Sequence, residues 1–215
     1  MKSLLKHRSY WPFVLCVLAL GAFGFAQKAK VENRPQPKKE DNERREPKSK
    51  RWKVSWAVDE DGAKMNAKPV PAAIAKLNSY KRPKVLPKKG SPAEHYRTHR
   101  VSPIETTVWE IRGTVVNVAA EHDGDFRLIV ADEKGNKICC VLPDPDLVPL
   151  RGRFSNQVDA ARAVVAKKFK LSYDPKDVNV PIVLTGIGYF GKLNHDANPS
   201  PEGFQLHPVL SAKFP

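Results

Sequence analysis

Beyond residue 16 the chain holds only two cysteines, Cys139 and Cys140, and they are neighbours. Successive side chains of a strand point to opposite faces, so this pair does not bridge itself in ordinary geometry. A disulfide scaffold is thereby excluded, and two thiols are too few for a four-thiolate zinc site. On the strand predicted below, Cys140 faces inward and Cys139 outward, which makes Cys139 the thiol for a disulfide-linked dimer. The apolar run at residues 11–25 falls short of the roughly 20 residues that a spanning helix needs. Acidic residues are scarce in the first 103 positions, 9 Asp/Glu against 24 Lys/Arg, whereas residues 104–215 hold 14 against 13. The formal net charge of +14 therefore belongs to the N-terminal part. The C-terminal part lacks the electrostatic footprint of a nucleic-acid-binding domain, so nucleic acid is not the expected partner of that part alone.

What is present begins with a leader. Lys2, Lys6, His7 and Arg8 precede the apolar run, and Gly24-Phe25-Ala26 places small residues at the −3 and −1 positions of a cleavage site. Residues 1–26 have the form of a secretory signal peptide, which implies export to a periplasmic, cell-envelope or extracellular location. Residues 27–103 carry 21 Lys/Arg, 9 Asp/Glu and 9 Pro, with apolar residues too sparse to offset the entropy of ordering. This stretch reads as a mostly disordered basic arm suited to polyanionic or membrane surfaces. Two segments interrupt it: residues 52–58 alternate like a short strand, with Trp52 and Trp56 facing the same way, and residues 71–77 suit two turns of helix.

From residue 104 the apolar pattern becomes periodic. A strand over 107–120 sets Trp109, Ile111, Gly113 and Val115 on one face, and Gly113 suggests a bend or bulge. An Asp-Gly turn leads to a second strand, 125–131, with Phe126, Leu128 and Val130 inward. A third, 137–142, points Ile138, Cys140 and Leu142 inward before Pro143, Pro145 and Pro149 end the pairing. Ser155 or Asn156 can cap a helix running to about residue 170, with Val158, Ala161, Val165 and Phe169 as its apolar stripe. Two more strands follow from Val180 and Phe204. Three meandering strands, a helix and two further strands give the layout of a mainly β, five-stranded OB-fold-like barrel over residues 104–215.

Several of these stretches resemble a family of small exported bacterial proteins to which no activity is assigned. The shared features are Trp109 in the first strand, Asp123-Gly-Asp125, Pro143-Asp-Pro145, Ala161-Arg162, Thr185-Gly-Ile-Gly-Tyr-Phe190 and Leu206-His-Pro-Val-Leu210. The resemblance implies an exported barrel of this type and covers none of the arm. Where relatives carry His-Gly-Gln after the fourth strand and a glutamate before the last Leu-His-Pro, this chain has His195-Asp-Ala and Gln205.

An OB barrel binds on the face of its second and third strands, framed by the loops after strands one and four. That points to Arg127, with Ile129, Cys139 and Val141 beside it, to Tyr189, and to His122 and His195 in the framing loops. His207, ahead of Pro208, shares an outward face with Gln205 and Val209; its plain reading is a hydrogen-bonded structural histidine. Asp123, Asp125, Asp144 and Asp146 sit at turns, where Asp is favoured for backbone geometry alone. No nucleophile with an ordered base can be named, and neither a metal nor a cofactor is expected. The chain therefore reads as an exported binding module for an envelope or extracellular ligand. Two alternatives stand beside it. One is a metal-assisted hydrolase using His122, His195 and His207; the other is a single-stranded nucleic-acid binder through Arg127 and Tyr189.

Overall fold

The computed structural model describes residues 51–84, 96, 98–146, 151–193 and 197–215. The expected leader, residues 27–50 and His195 lie outside the described residues. Among the described residues no helix is long and apolar enough to cross a membrane.

Alternating apolar residues build a six-stranded mixed sheet. Its strands are β1 (Val70–Pro71), β2 (Val108–Ala120), β3 (Phe126–Ala131), β4 (Lys137–Leu142), β5 (Lys176–Phe190) and β6 (Phe204–Lys213). The order is β1-β2-β3-β4-β6-β5, and β5 also pairs with β2, so hydrogen bonds run in a ring. β4 and β6 are parallel, joined at Cys139↔Gln205 and Cys140↔Leu206, while the other ring pairs are antiparallel. The short β1, which the sequence pattern does not announce, pairs in parallel with the start of β2. Inside lie Ile111, Val115, Phe126, Leu128, Val130, Ile138, Cys140, Leu142, Leu184 and Leu206, all buried in one cluster. The inward sets expected for the second and third strands are thus the ones found.

Helix α4 (Ser155–Lys168) stands between β4 and β5 and adds Ala161 and Val165 to that core. Its side-chain cap was expected from Ser155 or Asn156. Instead Phe154 occupies the cap position without a side-chain bond, and the Ser155 hydroxyl accepts from the Gly152 N–H at 2.8 Å. The break in β2 also falls later than Gly113. Both ladders shift register between Val115 and Asn117, so Val116 is passed over as the bulge. Gly113 serves a different need: a Cβ there would lie 2.4 Å from the Ala131 carbonyl oxygen on β3. Val209 packs into the core rather than outward, because the β5–β6 register shifts around Gly186.

The expectation of a disordered arm up to residue 103 is corrected for much of its second half. Residues 51–84 form three short helices besides β1: α1 (Trp52–Ser55), α2 (Glu60–Lys64) and α3 (Ile74–Asn78). The 52–58 stretch is therefore helical at its start, not a strand. Ile74 and Leu77 of α3 are buried in the main core cluster, and Leu77 is 0% exposed. What holds the segment is partly this apolar contact and partly charge, which compositional reading counts as solvated. Arg51 and Glu105 form a buried ion pair at 2.6 Å, and Arg100 and Asp59 form another at 2.7 Å.

Candidate functional site

The outer faces of the strands carry two different environments. On β3 and β4 the outward residues Ile129, Cys139 and Val141 pack together with Val116 from the β2 bulge. Around them lies a groove of about 540 Å³. Val116 and Asn117 come from β2, Arg127 and Ile129 from β3, Lys137 from the start of β4, Pro175 and Asp177 from the approach to β5, and Pro199 from the loop between β5 and β6. The face inferred from alternation is therefore present, with Arg127 on it.

Its charges are unequally engaged. The Arg127 Nε–H donates to the Glu121 carboxylate, and Asn117 donates through Nδ2 to Asp177 Oδ1 at 2.9 Å. Lys137 is exposed and makes no ion pair among the described residues. Sequence reasoning missed Lys137 and Asn117: the first stands at a strand end, and the second was displaced onto the groove by the bulge.

Cys139 does not supply the surface thiol expected of it. It faces outward from the ring but is only 2% exposed, and burial pushes its thiol up to about 12. The thiolate, which is the reactive form, is therefore suppressed at neutral pH.

On β5 and β6 the outward residues are polar and covered. Tyr189 and Gln205 are register partners, and His207 follows on β6. The rings of Tyr189 and His207 meet edge to face at 5.6 Å, and the Arg51 guanidinium stands 5.1 Å from the Tyr189 ring. Gln205 Nε2 lies 3.2 Å from His207 Nδ1. His207 Nε2 is buried with no hydrogen-bond partner among the described residues. Burial, reinforced by the Arg100 charge, lowers its pKa to about 3, so the imidazole stays neutral. Glu105 organises the cover: its carboxylate takes Arg51 and the backbone N–H groups of Val101 and Phe190.

The sequence-predicted site residues thus fall into separate places. Arg127 lines the groove, while Tyr189, beneath Arg51, meets His207. His122 is exposed on the turn after β2 and stacks on Tyr173 at 4.8 Å. His122 and His207 share no partner, and no group of three or more His, Cys, Asp or Glu that could hold a metal occurs among the described residues. Compared with protein-family models, curated proteins and solved structures, the chain matches none.

Proposed function

We propose that this chain is an exported binding module whose ring of strands is an OB-type barrel, taking its ligand in the groove over β3 and β4. The basic N-terminal residues contact polyanionic or membrane surfaces. The observation that carries the reading is the groove's position, on the outer face of β3 and β4 and bordered by Pro199 of the β5–β6 loop. That is where OB barrels place their ligands. The lining implies a ligand with an apolar face for Val116, Ile129 and the two prolines, and an acidic group for Lys137. Arg127, already shared with Glu121, serves as an adjustable second contact. A single-stranded nucleic acid is the weaker fit, because Tyr189 is buried beneath Arg51 and cannot offer its face to a base.

The test is direct binding of the protein to uronic-acid oligosaccharides and to soluble peptidoglycan fragments. Lys137→Glu should weaken whichever binds by about tenfold, equivalent to roughly 1.4 kcal/mol. A Lys137→Glu protein that binds either probe as tightly as the unaltered one removes the groove from the reading.

A further inference from the structure

The helical turn α1 is amphipathic in an unusual sense. Its buried side consists of Arg51, Val54 and Ser55, while its outer side carries Trp52, Lys53 and Trp56. Two of the largest apolar side chains in the protein are therefore left half-buried, four residues apart, with ring centroids 5.2 Å from each other. Trp109 shows the alternative. It is buried, and its Nε1–H donates to the Ile104 carbonyl at 3.0 Å. Neither Trp52 nor Trp56 makes a side-chain hydrogen bond among the described residues; their ring contacts are with each other and, for Trp52, with the Lys53 ammonium at 5.8 Å.

From this we propose that Trp52 and Trp56 dock at the interface of an anionic lipid bilayer. An indole with an apolar body and an N–H not bonded within the protein suits the headgroup boundary, where one part is dry and the other wet. The charge agrees in sequence, for Lys48, Lys50 and Lys53 all fall within four positions of Trp52, and each basic residue near an anionic surface adds attraction. Geometry favours a bilayer over a polysaccharide. The two rings meet at 66°, so they present wedges rather than one flat platform for successive sugars. None of the groove-lining residues belongs to α1, so the two contacts use different residues.

This inference rests on the reading of the N-terminal part as a surface-contacting segment, and it names where on that segment the contact is made. The experiment uses the protein recovered after expression with its own leader, mixed with phosphatidylcholine vesicles with or without phosphatidylglycerol. Tryptophan emission should shift to the blue and be quenched by acyl-brominated lipid only when phosphatidylglycerol is present. The Trp52→Ser/Trp56→Ser double variant should lose at least tenfold in vesicle affinity while keeping its retention on heparin. Unchanged vesicle affinity in that variant overturns the inference. So does unquenched emission from the unaltered protein, a measurement that stands even if the variant misfolds, since Trp109 is buried and the fourth tryptophan, Trp11, belongs to the expected leader. Retention on peptidoglycan that disappears with the tryptophans, without lipid quenching, reassigns the pair to glycan and also overturns it. Absence of both heparin and vesicle binding brings down the underlying reading as well.

Discussion

His207 is held neutral by its surroundings, and that gives the protein a defined acid weakness. In the unfolded chain a histidine takes up its proton near pH 6.5, whereas the folded site, at about 3, refuses it. As pH falls between those values the unfolded state binds the extra proton, so stability present above 6.5 is progressively lost. The full effect is on the order of 5 kcal/mol. Denaturant titrations at several pH values should show this slope, and His207→Gln should flatten it; an equal slope in both proteins would mean His207 is not the group responsible. Asp125 works in the opposite sense. Burial raises its pKa, so its contribution is present at low pH and lost as pH rises through the folded value. The comparison with the variant isolates His207 from it. Glu105 is the other residue on which much depends. Replacing it by Ala strands a buried Arg51 and two buried N–H groups, and should cost about 3–5 kcal/mol in a chemical unfolding experiment.

Among the elements, α3 tests where the folded unit begins. Leu77 is enclosed in the main core, so Leu77→Ala should lower stability by about 2–5 kcal/mol. Limited proteolysis should leave a fragment starting close to Arg51; one starting near residue 104 would mean that the helices ahead of β2 contribute little. The ring strands, by contrast, were legible in advance, because Phe126, Leu128, Val130 and Ile138, Cys140, Leu142 alternate without interruption. So was Arg127's place on the outer face. What could not be read was the cover over Tyr189 and His207. It is held by Arg51 with Glu105 and Arg100 with Asp59, and a charged residue that will be buried looks the same in sequence as one that stays in water. The bulge at Val116 was equally hidden, since Gly113 supplied the more obvious signal. The half-exposed tryptophans were noticed in the sequence but given a strand's geometry.

At the scale of the whole molecule, charge separates the two proposed kinds of contact. Residues 27–50 carry 9 Lys/Arg against 5 Asp/Glu, and residues 51–103 carry 12 against 4, with Arg51 and Arg100 already spent on buried partners. Heparin retention should fall steeply with salt, as counterion release requires, and a fragment beginning near Arg51 should elute earlier than the longer protein. Coincident elution would place the polyanion contact wholly on the helices ahead of β2. The ring of backbone pairing has a consequence of another kind. A sheet normally ends in strands whose unpaired N–H and C=O groups can template growth onto a neighbouring molecule. Here each ring strand has a partner on either side, and among the described residues the one strand attached from outside, β1, is two residues long and ends in Pro71, which has no N–H to offer. The described strands are thereby poorly equipped for strand-by-strand polymerisation.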